Sequence, residues 1–400
     1  MTPLAIRHLT ATSCIGHGLE PTLESLRAAR SGLAPCAFET VTLDTCIGEV
    51  PGIDEVRLPA ALRRFDCRNH RLAQLGLAAD GFLDAVAACA GRWGRRRIGL
   101  FLGTSTSGML ETEVAYRQRD PKTGALPAAL DYAGTHNPYS LAAFVRELLG
   151  LEGPAAAVSS ACSSSAKVFG SARRMLAAGL IDAAVVGGVD SLCLTTLYGF
   201  HSLQLTSRGP CRPFDLERDG ISIGEAAAFA LIERAPESLD RDAILLLGVG
   251  ESSDAYHMSS PHPEGRGARA AMLEALAAAG LPAQDIDYIN LHGTGTASND
   301  SAEASAVAAV FADCGRLVQA SSTKGATGHT LGAAGALEAV ICALSLRHGL
   351  LLGSPHTRHV AASLGFEYLL ASRQRPIARA ISNSFGFGGS NCALVLGRAQ

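Results

Sequence analysis

Much of what narrows this 400-residue chain is scarce or missing. Charge is sparse, with 18% of residues charged and a net charge of −3. A basic stripe that would track a nucleic acid is therefore not expected. Aromatic residues make up only 5% of a chain that is 48% hydrophobic, so the core is built mainly from small and aliphatic side chains. That balance fits a compact α/β enzyme and excludes a disordered or fibrous protein. No apolar run reaches the roughly 20 residues that span a bilayer, so no membrane association is expected. The opening stretch MTPLAIRHLTATSC lacks the basic-then-apolar plan of a secretory signal, which points to a cytoplasmic protein. Eleven cysteines contain no CxxC pair, so neither metal-finger spacing nor a disulfide framework is expected. The phosphate-loop pattern GxxxxGK[ST] is also missing.

What is present centres on Cys162, in the run AAVSSACSSSAKVFG. A helix-like stretch, roughly 164–178, begins just after it and ends at Gly179. A thiol at a helix N-terminus faces unpaired backbone N–H groups and the positive end of the macrodipole. Such placement lowers a cysteine pKa from about 8.5 towards roughly 3.5–7.5 and favours the nucleophilic thiolate.

The chain also repeats itself. RIGLFLGTSTSGML and IDYINLHGTGTASND are each a buried strand emptying into a small-residue turn. AAVSSACSSS is answered by VQASSTKGAT, each a strand, then Ser-Ser, then a helix. The second helix, roughly 333–348, ends at Gly349, the residue type expected just past a helix end. Aligning Cys162 with Lys324 leaves eight extra residues in the second half, which fit a glycine-rich loop over 325–332 carrying His329. A duplicated βαβ plan implies two α/β halves, 1–240 and 241–400. Residues 111–150 read as an excursion without a counterpart in the second half.

Three further segments place polar residues among glycines: His292 in LHGTGT, Lys324 and His329 in STKGATGHTLGAAGALEA, and NSFGFGGSN around Phe387. With Cys162 they bring one thiol, two imidazoles and one ammonium to strand ends and loops, where reactive groups concentrate.

These segments, with RPFDLERDGISIGEAA at 212–227, carry a family resemblance along the length of the chain. The chain resembles the elongating β-ketoacyl-acyl carrier protein synthases, the ketosynthases of fatty-acid and polyketide assembly. The resemblance implies the thiolase fold, a five-layer αβαβα sandwich of two duplicated halves. It implies a decarboxylative condensation: Cys162 holds an acyl chain, while His292 and His329 decarboxylate malonyl-carrier protein. Lys324 and Glu338 would support the site electrostatically. The backbone N–H groups of Cys162 and Phe387 would form an oxyanion hole, with Phe387 as gate to an acyl pocket lined by Thr106 and Phe200. A small polar Thr106 at the pocket floor is expected to deepen or polarise the tunnel for a long or unsaturated chain.

No cofactor or metal is expected, since the substrates arrive on the phosphopantetheine of acyl carrier protein. That acidic partner would dock on Arg63, Arg64 and Arg208, within a cluster that also contains Arg68, Arg71 and Arg212. A second copy of the chain, or a related subunit, is the expected oligomeric partner.

Four other readings compete. A thiolase would use a second cysteine, and Cys392 follows the gate segment instead. A starter-type synthase would carry Asn in place of His329. A non-catalytic chain-length subunit would lack Cys162, and a cysteine hydrolase needs neither the second histidine nor the lysine. One departure stands out: Ala297 follows HGTGT where the family has Pro.

Overall fold

The computed structural model describes residues 2–240 and 242–399. The expected boundary at 240/241 falls on Arg241, outside the described residues. In the first half the strands are β1 (Leu4–Ser13), β2 (Ile98–Gly103), β3 (Ala155–Val158), β4 (Ala183–Asp190) and β5 (Ala226–Arg234). In the second they are β6 (Ile244–Ser253), β7 (Tyr288–Asn290), β8 (Gln319–Ser321), β9 (Glu367–Tyr368), β10 (Arg379–Gly386) and β11 (Ser390–Arg398).

These strands follow one path, β9-β8-β7-β10-β11-β6-β1-β5-β4-β2-β3. Outward from the central β1/β6 pair, the first half runs first, fifth, fourth, second, third in chain order. The second half does the same once β9 is set aside. β1 and β6 share only three residue pairs, Leu4↔Leu246 to Ile6↔Ile244, so the two half-sheets join at one end and splay apart. The wedge is filled by α4 (Ser164–Ala177) and α8 (Ala334–His348), which belong to one buried cluster with residues of both half-sheets. On the outer faces lie α1 (Arg68–Leu77) and α3 (Tyr139–Leu148) in one half, and α6 (Arg266–Ala279) and α7 (Ala297–Phe311) in the other. Two outer helix layers, two half-sheets and a central helix pair make the five-layer thiolase sandwich.

Local sequence explains the layers. β4, AAVVGGVD, is buried at every residue and correspondingly apolar without alternation, as a strand covered on both faces must be. The α8 sequence AGALEAVICALSLRH is buried on every side from Ala334 to Leu346. By composition the run Leu331–His348 is long enough to cross a membrane, but here it is the core helix of a folded domain. It stops at Gly349, whose φ of 59° is left-handed. A Cβ at Gly335 would come within 2.7 Å of Ala166, so glycine and alanine let α4 and α8 touch. That close approach is the structural reason for few aromatics and many small residues.

The 111–150 excursion is partly regular. It contains most of α2 (Met109–Arg117), and α3 takes the place between β2 and β3 that α7 takes between β7 and β8. The stretch without a counterpart is therefore narrower, about residues 118–138.

Candidate active site

β2 pairs in parallel with β3 and β4, and β7 pairs in parallel with β8 and β10. The carboxyl ends of these strands deliver the site: Thr104–Thr106 after β2, Cys162 after β3, Asp190 at the end of β4. His292 follows β7, Lys324 follows β8 and Phe387 follows β10. Crevices beyond the carboxyl ends of parallel strands are the favoured ligand sites of α/β proteins. Here Cys162, His292, His329, Phe200 and Phe387 line one cavity.

Cys162 is presented by Ala161, a non-glycine residue at φ 52°. Such left-handed strain concentrates at functional sites. The Ala161 carbonyl accepts from the Ser164 hydroxyl at 2.6 Å, which holds the turn. The backbone N–H groups of Phe387 and Cys162 face the sulfur and favour its thiolate form. A Cβ at Gly386 would sit 3.2 Å from the Cys162 nitrogen, so glycine keeps this N–H pair accessible.

His329 Nε2 lies 2.9 Å from Cys162 Sγ. Its backbone is pinned to the 212–227 segment: the His329 N–H donates to the Ser222 carbonyl at 2.7 Å, and Gly224 N–H donates to the His329 carbonyl at 3.0 Å. The two histidine rings meet edge-on, with centroids 5.2 Å apart. Lys324 Nζ is fully buried. It donates to the His292 carbonyl at 2.6 Å and to Glu338 Oε1 at 2.5 Å, and faces His292 Nδ1 at 3.4 Å. An ammonium only donates, so His292 Nδ1 is the acceptor and its proton sits on Nε2.

The electrostatics correct one expectation. Burial pushes the Cys162 thiol up to about 11, against the downward pull of Lys324 and of the Phe387 N–H. The helix-terminus effect is limited to about 2 kcal/mol at best and loses to desolvation. Burial also holds both histidines well below the ordinary imidazole range, assisted by Lys324 and, for His292, by His329. The resting site is therefore a thiol beside two neutral imidazoles. Glu338 is raised to about 7 by burial despite its lysine partner.

Three buried carboxylates escaped the sequence reading. Glu303 accepts the N–H of His292 at 2.8 Å and of Gly293 at 2.7 Å, while Asp300 accepts those of Thr294 and Gly295. Both project from the first turns of α7, and their spacing of three in ASNDSAEAS was the available signal. Asp190 binds the Thr104 hydroxyl, the Ser105 and Thr106 N–H groups and the Thr106 hydroxyl through Oδ1, all within 2.9 Å. Its Oδ2 accepts from Gly332 N–H at 2.5 Å, so it ties the turn after β2 to the loop that carries His329. Asp190→Asn, which replaces one acceptor by a donor, is expected to lower kcat about tenfold with less change in KM, while Asp190→Glu recovers part of it. Steady-state kinetics on the two variants check this, with KM-only changes contradicting the positioning role.

Thr106 is not among the residues lining the cavity. It is buried with its hydroxyl bonded to Asp190. Phe200, on α5 (Leu194–Ser202), does line the cavity and lies 5.6 Å from Phe387 between ring centroids. The basic cluster divides. Arg68 is buried and spent on Glu225, Glu49 and Asp54, and Arg71 pairs with Asp66. Arg64 is exposed but paired with Glu147, and Arg212 with Glu217 and Asp219. Arg63 and Arg208 are exposed, and among the described residues their side chains make no hydrogen bond or ion pair.

Comparison with known proteins agrees with this geometry. Residues 77–238 match the N-terminal domain of β-ketoacyl synthase, and residues 244–358 match its C-terminal domain. The 3-oxoacyl-[acyl-carrier-protein] synthase 2 of Vibrio cholerae is 31% identical over 96% of each chain. The same-named protein of Rhizobium meliloti is 38% identical over an aligned part spanning 62% of each chain. Among solved structures, the ketosynthase ApeO of Xenorhabdus doucetiae, in complex with its chain length factor ApeC, is 37% identical. The superposition covers 100% of this chain and 98% of that one with a TM-score of 0.88. The fold and the site thus define a condensing acyltransferase of the thiolase fold. The chain belongs to the β-ketoacyl synthase family and is a ketosynthase.

Proposed function

We propose that Cys162, His292 and His329 carry out a decarboxylative Claisen condensation that lengthens a Cys162-bound acyl chain by two carbons. The observation that carries this reading is the 2.9 Å approach of His329 Nε2 to the Cys162 sulfur, with the His292 ring edge-on to His329 in the same cavity. In the first half-reaction the thiol proton passes to His329 Nε2 as sulfur attacks the incoming thioester. The tetrahedral oxyanion is held by the N–H groups of Cys162 and Phe387, and the phosphopantetheine thiol leaves with the proton. In the second half-reaction the malonyl carboxylate departs as CO2. Negative charge builds on the malonyl thioester oxygen, where Nε2–H of His292 stabilises it; His329 joins once its single ring proton has shifted from Nδ1, which has no hydrogen-bond partner among the described residues, to Nε2. The enolate carbon attacks the Cys162 thioester and expels the thiolate, giving a 3-oxoacyl thioester. Because both imidazoles are neutral at rest, decarboxylation is expected to stay flat from about pH 6 to about pH 8, without a step at the ordinary histidine pKa. Release of CO2 from malonyl-carrier protein across that range checks it.

Phe200 and Phe387 also line a second, open groove of about 670 Å³ with Thr195, Thr196, Gly199 and Leu203. The aromatic pair is thus the partition between the two spaces. Gly388 and Gly389, both at left-handed φ, give Phe387 room to swing and admit the acyl chain. β3, directly before Cys162, ends the sheet path, and its four residues are half-buried. Such an open edge fits pairing with a second copy or a related subunit. The ishigamide ketosynthase/chain length factor, 27% identical with a TM-score of 0.89, is a solved example of the second kind. All eleven cysteines are free thiols, which fits the cytoplasm.

The unpaired Arg63 and Arg208 are our candidates for docking an acidic carrier protein. The double variant Arg63→Glu/Arg208→Glu is expected to raise KM for carrier-bound substrate about tenfold and to flatten its salt dependence, with kcat unchanged. Kinetics at two ionic strengths decide it, and an unchanged KM contradicts the docking role.

A further inference from the structure

The two equivalent turns beside the site are held by different chemistry. In the second half, Asp300 and Glu303 of α7 collect the N–H groups of the turn after β7. In the first half α3 takes the place of α7, but its first turn carries no acidic residue. Hydroxyl groups hold the turn after β2 instead. Ser107 closes that turn at φ 45°, a strained conformation for a residue with a side chain. Its hydroxyl donates to the Thr135 carbonyl at 2.9 Å, with the Asn137 carbonyl a poorer acceptor at 3.3 Å. Its N–H donates to the Thr104 hydroxyl, which donates to Asp190 Oδ1. Asp190 Oδ2 accepts from Gly332, three residues past His329, so Ser107 bears on where His329 sits.

Ser140, in the first turn of α3, competes for the same carbonyl. Its hydroxyl lies 2.8 Å from the Thr135 carbonyl and 3.3 Å from Nε2 of His70. His70 stands in the first turn of α1, fully buried and stacked on Phe144 with ring centroids 5.1 Å apart. Its Nδ1 lies 2.7 Å from the Phe65 carbonyl. A carbonyl only accepts, so the ring proton is on Nδ1 and Nε2 presents a lone pair. Burial pushes the His70 pKa down to about 4, so the ring stays neutral near pH 7. The Thr135 carbonyl also accepts the Gly108 N–H at 2.9 Å. The arrangement that leaves no buried acceptor empty has Ser140 donating to His70 and Ser107 donating to Thr135.

We propose that His70 is a positioning residue for the condensation: by accepting the Ser140 hydroxyl it reserves the Thr135 carbonyl for Ser107. Through Thr104 and Asp190, that bond fixes the loop carrying His329. Without the His70 acceptor, Ser140 turns to Thr135 and Ser107 is displaced towards Asn137. The kinetic part of the test rests on the condensation reading, and a chemical part does not.

The experiment compares His70→Asn with His70→Gln. The shorter amide reaches only the Phe65 carbonyl, in place of Nδ1. The longer one puts its oxygen where Nε2 stood and keeps an acceptor for Ser140. His70→Asn is expected to lower kcat about fivefold with KM within about twofold of wild type, while His70→Gln retains most of the rate. Removing the competing hydroxyl repairs the defect, so His70→Asn/Ser140→Ala is expected to regain at least about half of the wild-type kcat. Added to Asp190→Asn, His70→Asn should cost less than about twofold more, since both act on one chain of bonds. The chemical readout is alkylation of Cys162 by iodoacetamide, followed by peptide mass. It should slow at least about threefold in His70→Asn, as His329 withdraws from the sulfur, and stay near wild type in His70→Gln. Thermal unfolding checks that each variant is folded. Should His70→Asn not fold, Ser107→Ala breaks the same bond from the other end and is expected to reproduce the loss in kcat. Wild-type kcat and alkylation in folded His70→Asn, equal losses in the two amide variants, or no recovery on adding Ser140→Ala overturns the proposal. A wild-type rate in Ser107→Ala overturns it as well. A native protein that fails to condense substrates, while alkylation still separates the two amide variants, contradicts the functional reading alone.

Discussion

Cys162→Ala is expected to abolish acyl loading and to lower condensation by at least about 10⁴-fold, the scale on which a covalent nucleophile matters. The substitution removes the atom that holds the chain, and among the eleven cysteines only Cys162 lines the cavity with both histidines. It leaves His292, His329 and the Lys324–Glu338 pair in place. Decarboxylation of malonyl-carrier protein should therefore survive within about tenfold of the wild-type rate. Parallel assays of thioester formation and CO2 release separate the two halves. The wild-type thiol offers a companion test. Raised to about 11 by burial, it is protonated near neutrality. Its alkylation rate should then rise about tenfold per pH unit between about pH 7 and about pH 9. A plateau near pH 7 would mean that a thiolate–imidazolium pair already exists at rest.

Lys324→Ala carries the second large effect, on stability and activity together. Lys324 and Glu338 are 1% and 3% exposed and bonded to each other. Removing one partner of such a pair leaves an uncompensated buried charge and costs about 3–5 kcal/mol. The same change frees the His292 carbonyl and Nδ1, so the tautomer that donates from Nε2 is no longer enforced. The sign of the pH dependence follows from Glu338. Its carboxyl is raised from 4.5 to about 7 in the folded protein, and the loss of Lys324 raises it further. A carboxyl with a raised folded value destabilises least when protonated. Relative to the wild type the deficit should be small below about pH 7, where both proteins hold Glu338 protonated, and grow as pH rises above it. Thermal unfolding of Lys324→Ala across that range measures it. The double variant Lys324→Met/Glu338→Gln should recover most of the stability and none of the condensation, because it removes the charges without restoring the donor to His292.

The sequence revealed the duplicated plan before any coordinates, since a strand, a Ser-Ser turn and a helix recur with glycine stops at 179 and 349. It also revealed the reactive groups, because cysteine, histidine and lysine among glycines have few structural uses. What stayed hidden depended on burial and on long-range partners. Asp190, Asp300 and Glu303 look like ordinary acidic residues in the chain, yet each is buried and collects backbone N–H groups, Asp190 from the turn after β2 and the other two from the turn just before α7. The thiol shift reversed direction because composition does not show how completely Cys162 is desolvated. Thr106 was assigned to the pocket by position, and its hydroxyl turned out to face Asp190. The arginine cluster divided for the same reason, since pairing partners such as Glu225 lie far along the chain from Arg68.

The account stands most directly on one measurement: intact-mass and peptide-mass analysis after incubation with a panel of acyl-carrier proteins, followed by malonyl-carrier protein. It predicts an acyl adduct on Cys162 alone, discharged only when malonyl-carrier protein is added, with release of CO2 and a 3-oxoacyl-carrier product two carbons longer. An adduct on another cysteine, or discharge to the free acid without malonyl-carrier protein, would contradict it.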